Sequence, residues 1–143
     1  MDQLIYKTQV PVPVEAYNAM RLAFGWTAID PEQAKRGFEH SDLLLSVWDG
    51  DRPVGTARTL SDQGYMVLIV DVMVDLEYQG LGIGRSLMQR ILDYYRENTS
   101  KEETRMINLM AASGKEGFYQ KLGFEKRPGP AGGAGMVLWM LPE

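Results

Sequence analysis

The hydrophobic pattern between Val67 and Leu92, VLIVDVMVDLEYQGLGIGRSLMQRIL, changes period twice, and the rest of the chain is arranged around it. Val67 to Val74 is an apolar, β-branched run broken only by Asp71, which predicts a strand buried on both faces. Gln79-Gly80-Leu81-Gly82-Ile83-Gly84 then alternates glycine with other residues and predicts a loop. From there Ile83, Leu87, Ile91 and Tyr94/Tyr95, with Met88 and Leu92 beside them, recur at the spacing of a helix reaching about Asn98. A buried strand, a glycine turn and a helix start together make an anion site. Glycine lets the backbone come close to a ligand, the first helical N–H groups have no internal partners, and the helix dipole adds positive potential. Phosphate is the usual occupant of such a site, so the stretch reads as a pyrophosphate cradle.

Upstream, Leu4 to Gln9 predicts a first strand, ended by Pro11 and Pro13. Val14 to Phe24 predicts a helix with Val14, Tyr17, Met20/Arg21 and Phe24 on one stripe. Gly25-Trp26 interrupts it. Asp30-Pro31 opens a short polar helix to about Glu39, with Asp as N-cap and Pro at the first helical position. Leu43 to Asp49 and Pro53 to Ser61 predict two strands around an Asp49-Gly50-Asp51 hairpin turn. Asp62-Gln63-Gly64 leads into the buried strand, completing an antiparallel meander. Beyond the cradle helix and a solvated loop, Arg105 to Ala111 predicts a strand parallel to Tyr65–Val74 by right-handed crossover. Lys115 to Leu122 reads as a short helix stopped by Gly123. Phe124 to Lys126 is extended, PGPAGGAG (Pro128 to Gly135) is a flexible loop, and Met136 to Leu141 predicts a last strand.

Composition narrows the chemistry. A chain of 143 residues, 45% hydrophobic and 24% charged, is expected to be one domain over residues 1–143. No apolar run approaches the roughly 20 residues of a membrane span, so no membrane partner is expected. The N-terminal MDQLIYKTQVPVP lacks a basic region followed by an apolar core, which leaves cytoplasmic as the expected location. A net charge of -4 argues against a nucleic-acid partner, which needs a basic face. With no cysteine and one histidine, His40, neither a cysteine nucleophile nor a metal site is expected. His40 follows a polar helix beside Ser41 and Asp42, where a surface or capping role is favoured. Catalysis must then rest on tyrosine, carboxylates, backbone groups and a cosubstrate.

The glycine loop has neither the G-x-G-x-x-G spacing of dinucleotide sites nor the Gly-Lys-Ser/Thr of a P-loop. Arg85 and Ser86 follow it and can serve a phosphate as cation and hydroxyl donor. Gln79, Gly82 and Gly84 fit a Q-x-x-G-x-G pattern, and GFYQKLGFE (Gly117 to Glu125) follows it after an intervening strand. Both motifs resemble those of the GNAT superfamily of acyl-CoA-dependent N-acetyltransferases, and the element order fits almost the whole chain. ARTLSD, IVDVMVDLEYQGLGIGRSLM, AGMVLWM and the upstream Gly25-Trp26 further resemble the plant and cyanobacterial serotonin-type branch.

The resemblance implies an α/β (α+β) GNAT fold, a mixed, mostly antiparallel sheet of six or seven strands with helices on both faces. It implies acetyl-CoA as cosubstrate. Backbone groups of Met73 and Val74 would bind the pantetheine arm like an added strand, and N–H groups from Gln79 through Ser86 (Gln79, Gly80, Leu81, Gly82, Ile83, Gly84, Arg85, Ser86) would hold the pyrophosphate. Tyr119 falls on the family's general acid, a phenol suited to protonating a leaving thiolate. The family often has Asn seven residues before this tyrosine; here Ala112 stands there, and Ser113 is the candidate substitute. Asp71, a carboxylate in an apolar strand, needs a partner or a use. It can accept the ammonium proton or form an ion pair with Arg58 on the neighbouring strand, and the two roles are not exclusive. Trp26, with Arg58 and Asp71, is the candidate contact for the acceptor. The expected reaction is direct acetyl transfer to a primary amine, a small arylalkylamine or polyamine. Protein-lysine or aminoglycoside acetylation and a non-catalytic acyl-CoA-binding module are the alternatives. A homodimer through the C-terminal strands is a further expectation.

Overall fold

The computed structural model describes residues 3–143; Met1 and Asp2, at the head of the segment read for a leader, lie outside them. Two compact units are present, Met1–Asn108 and Leu109–Glu143. In the first, β1 (Ile5–Thr8), α1 (Val14–Ala23), α2 (Pro31–Glu39), β2 (Leu43–Asp49), β3 (Arg52–Ser61), β4 (Met66–Val74) and α3 (Ile83–Glu97) follow in order, leading to β5 (Met106–Leu109). The sheet order is β1-β2-β3-β4-β5. The first four strands pair antiparallel. Met106 N–H donates to the Tyr65 carbonyl and the Asn108 side-chain Nδ2 to the Val67 carbonyl, so β5 ascends alongside β4 in parallel.

Local chemistry accounts for the element ends. Asp30 accepts the Gln33 N–H at 3.0 Å, with Pro31 at the first helical position of α2. His40 caps the other end of α2, its Nδ1 2.8 Å from the Arg36 carbonyl oxygen. Gly50 turns the β2–β3 hairpin with φ 59°.

Helices cover both faces of the sheet. On one face Thr59 and Ile69 stand opposite each other in register, and the Thr59 hydroxyl bonds the Tyr95 hydroxyl of α3 at 2.6 Å. Ile83, Leu87, Met88 and Ile91 of α3 are buried. On the other face Tyr17, Met20, Ala34 and Phe38 from α1 and α2 pack with Leu44 and Met73. β4 residues face both layers, which is why its sequence, Asp71 apart, is apolar rather than alternating.

Ile69 and Met73 share strand parity yet face opposite layers. The register explains it: Arg58 pairs with Val70 and Thr56 with Met73, so Ala57 alone faces both Asp71 and Val72. That is a β-bulge, and Asp71 sits in it at φ 56°.

In the second unit, α4 (Glu116–Gln120) is followed by a turn that Gly123 (φ 102°) closes, its N–H donating to the Gln120 carbonyl. The sheet has five strands, not the six or seven expected. Phe124 N–H is taken by the Tyr119 carbonyl at the end of α4, so Phe124–Lys126 adds no strand. Met136 to Leu141 is irregular, and each of its residues is 63–91% exposed. An apolar run supplies only half of a strand; the other half is a neighbour's row of N–H and C=O groups, and this segment has none among the described residues.

Candidate functional site

The cradle is built from the end of β4 onward. Asp75 N–H is held by the Val54 carbonyl at 2.8 Å, and its carboxylate accepts the Glu77 N–H at 2.9 Å, winding a single 3₁₀ turn over Leu76–Tyr78. Arg52, from the β2–β3 hairpin, braces that turn. It pairs with Asp75 at 3.1 Å and Glu77 at 3.0 Å, and lies over the Tyr78 ring. The Tyr78 hydroxyl donates to Asp49. The Gln79 side chain returns to the Val74 carbonyl at 3.2 Å.

Gly80 (φ 80°) and Gly82 (φ 83°) are both left-handed, a conformation that costs other residues about 1–2 kcal/mol. Gly82 is the N-cap of α3 and offers no side-chain cap, and the first turn of α3 has no acidic residue. The Gln79 N–H turns inward to the Leu76 carbonyl and the Ser86 N–H to the Gly82 carbonyl. The two ends of the expected donor row are therefore spent inside the protein. The N–H groups of Gly80, Leu81, Gly82, Ile83, Gly84 and Arg85 find no acceptor among the described residues. Gln79 to Gly82 and Arg85 are exposed, Ser86 is half-buried, and the Ile83 side chain is buried as the anchor of the turn. Uncapped donors, a positive dipole end and no competing carboxylate are what a pyrophosphate requires.

Met73 is buried and Val74 half-buried. Their strand runs on past its parallel neighbour. The Met106 N–H bonds the Tyr65 carbonyl and the Asn108 side chain reaches the Val67 carbonyl, whereas Met73 and Val74 lie beyond the bulge.

Asp71 gathers three donors. Its Oδ2 accepts the Tyr17 hydroxyl at 2.7 Å and Arg58 Nε at 2.7 Å, and its Oδ1 accepts Arg21 Nη1 at 3.1 Å. The ion pair with Arg58 that the sequence suggested is present, joined by a second arginine. Arg58 Nη1 reaches on to the Gly37 carbonyl and the Ser41 hydroxyl, and Arg21 Nε to the Thr27 carbonyl. Arg21 also lies over the Trp26 ring at 5.6 Å, and Trp26 packs on Phe24. Trp26, Arg58 and Asp71 thus belong to one connected cluster. Burial, followed by the charge and hydrogen bond of Asp71, pushes the Tyr17 phenol up to about 12. No sequence motif marks Tyr17 and Arg21 as site residues. Their signal was an arginine on the apolar stripe of α1, where a buried cation must have a partner.

Ser113 and Tyr119 lie in the second unit. Ser113 is exposed, and Tyr119 is half-buried with Phe118 and Phe124 edge-on to its ring at 5.0 and 6.0 Å. Its hydroxyl makes no hydrogen bond among the described residues, and burial pushes its phenol up, which keeps the proton on it at neutral pH.

Residues 13–138 match the family described as the acetyltransferase (GNAT) domain. The chloroplastic serotonin N-acetyltransferase 2 of Oryza sativa is 30% identical over 131 residues, 87% of this chain and 62% of that protein. A histone acetyltransferase of Glycine max is 27% identical over 139 residues, 90% of this chain and 58% of that one. Among solved structures, a probable acetyltransferase of unknown function from meticillin-resistant Staphylococcus aureus superposes with a TM-score of 0.83. It is 25% identical, and the match covers 96% of this chain and 100% of that one. The chain spans about 60% of the length of the curated relatives it matches. These relatives also correct the cytoplasmic expectation. The rice protein and two from Arabidopsis thaliana are chloroplastic, and the lack of a leader pattern was no ground for assigning a compartment.

Proposed function

The chain belongs to the GNAT acetyltransferase family, and we propose that it moves an acetyl group from acetyl-CoA to a primary amine by direct attack. The observation that carries this reading is the open row of N–H groups from Gly80 to Arg85 ahead of α3, with left-handed glycines at Gly80 and Gly82 and no carboxylate in the first helical turn. Those donors would hold the diphosphate of the coenzyme, and exposed Arg85 would add a cation. Backbone groups of Met73 and Val74, beyond the bulge of β4, would receive the pantetheine arm as a strand receives a partner. The thioester supplies an activated acyl group, and the chain supplies position and protons. Tyr119, its hydroxyl unbonded among the described residues and its proton held by burial, would be the donor to the departing thiolate; the proton lost by the amine nitrogen would pass to solvent water, from which the phenolate regains its own.

The acceptor we favour is a small arylalkylamine or polyamine. The serotonin N-acetyltransferase of rice and the aromatic ring of Trp26 beside the Asp71 cluster support it. Protein lysine is the competing acceptor, favoured by the Glycine max histone acetyltransferase. Acetyl-CoA turnover followed by free-thiol release, with tryptamine, spermidine and a lysine peptide in parallel, separates the two by their kcat/KM. Calorimetry with CoA alone tests the cradle, and absence of binding at millimolar CoA would sink the transferase reading.

A further inference from the structure

We propose that Asp71 is a positioning residue: its carboxylate, gripped by Tyr17, Arg21 and Arg58, holds the β4 bulge that aims Met73 and Val74 at the coenzyme. This rests on the transferase reading above. Asp71 occupies a left-handed conformation (φ 56°) in the middle of a strand, a state a bulge of this kind ordinarily fills with glycine. Aspartate tolerates that state better than most residues but does not prefer it. Something must hold it there, and three donors from two other elements do. Tyr17 and Arg21 are one helical turn apart on α1, and Arg58 sits on β3 beside the bulge itself.

The bulge has a definite consequence. Without the extra residue opposite Ala57, Met73 would face α3 with Ile69; with it, Met73 enters the α1–α2 layer. The N–H and C=O groups of Met73 and Val74 are re-aimed by the same rotation. The carboxylate therefore ties α1 and β3 to the direction of the strand end that would receive the pantetheine arm. As a base for the amine it is poorly placed. Its side chain is 9% exposed, and both oxygens are already accepting, two of the three bonds coming from guanidinium groups. Asp71 acts through Met73 and Val74.

The test compares Asp71→Ala, Asp71→Gly, Arg58→Gln and the pair Asp71→Asn with Arg58→Gln, measuring melting temperature, calorimetric Kd for CoA, and the pH profile of kcat with saturating amine. Asp71→Ala should raise the CoA Kd about tenfold, the worth of roughly one hydrogen bond. Arg58→Gln should raise it although the carboxylate is intact. Asp71→Gly, which adopts the left-handed state freely, should return Kd to within about threefold of the parent. So should the paired variant, which keeps the cluster's net charge at that of one arginine and leaves a left-handed-tolerant Asn to hydrogen-bond Gln. The acid limb of kcat should stay where it is in both. If every variant lacking the carboxylate loses the acid limb while the CoA Kd is unchanged, Asp71 is the base and the proposal fails. If melting temperature falls but Kd does not, the cluster is structural only and the proposal fails equally. Should Asp71→Ala not fold, Arg58→Gln and Asp71→Gly carry the same comparison. A parent protein that does not bind CoA would overturn the transferase reading instead.

Discussion

Gly82→Ala isolates the backbone geometry of the cradle. Gly82 has φ 83° and ψ 10°, and a Cβ built there meets nothing within 4 Å, so the substitution introduces no clash. The cost is then conformational alone, about 1–2 kcal/mol for holding alanine in the left-handed region. In a chain of this size that lowers the melting temperature by about 3–8 °C if the turn keeps its shape. If the turn relaxes instead, the N–H groups of Ile83, Gly84 and Arg85 lose their common aim. Misdirecting one charge-assisted hydrogen bond costs about 1.5–3 kcal/mol, roughly tenfold to a hundredfold in Kd. The two routes are separated by melting the protein with and without CoA and by calorimetry. Strain held in place lowers both curves together, whereas relaxation shrinks the stabilisation by CoA. Gly82→Asn is the control, because asparagine visits the left-handed region at lower cost. An alanine variant that melts and binds CoA as the parent does would refute the argument. So would an asparagine variant as impaired as the alanine one.

Three further outcomes follow from the same geometry. Tyr119→Phe should leave the CoA Kd unchanged and lower kcat by about a hundredfold, as loss of a general acid does; an unchanged kcat would remove Tyr119 from the chemistry. Tyr17 titrates near 12 in the folded chain against 10.0 unfolded, so above pH 10 the unfolded chain releases a proton that the folded one keeps. Stability from this group is intact below pH 10 and is lost between about 10 and 12, and Tyr17→Phe should melt with a shallower pH slope in that window. Parallel slopes would show that the phenol is not held as described. Tyr95→Phe removes a hydroxyl that donates to Asp42 and bonds Thr59, each at 2.6 Å, and should cost about 1–3 kcal/mol by urea titration. Tyr95 stands about 18 Å along α3 from Ile83, so CoA affinity should not change with it; a weakened Kd would mean the helix transmits the loss.

What could be read from residues alone is what short-range chemistry decides. Asp30-Pro31 starts α2 because a side-chain acceptor and a fixed φ act within one helical turn. The glycines at Gly80 and Gly82 announce the cradle because only that residue type enters the left-handed region cheaply. The apolar run of β4 and the helical stripe of α3 report burial through period, and the two family motifs are each short contiguous stretches of chain.

The tertiary structure alone decided the rest. Asp71 was visibly out of place in its strand, but its partners Tyr17 and Arg21 are 54 and 50 residues away, and no local pattern joins a carboxylate to a helix at that distance. Nor does the order VLIVDVMV say that Ala57 will face two residues; a bulge is a property of the pairing, not of the strand. Met136 to Leu141 shows the converse, a run with the composition of a strand and no ladder to complete it. Propensity is written residue by residue, whereas register and ion pairing exist only once two distant segments meet.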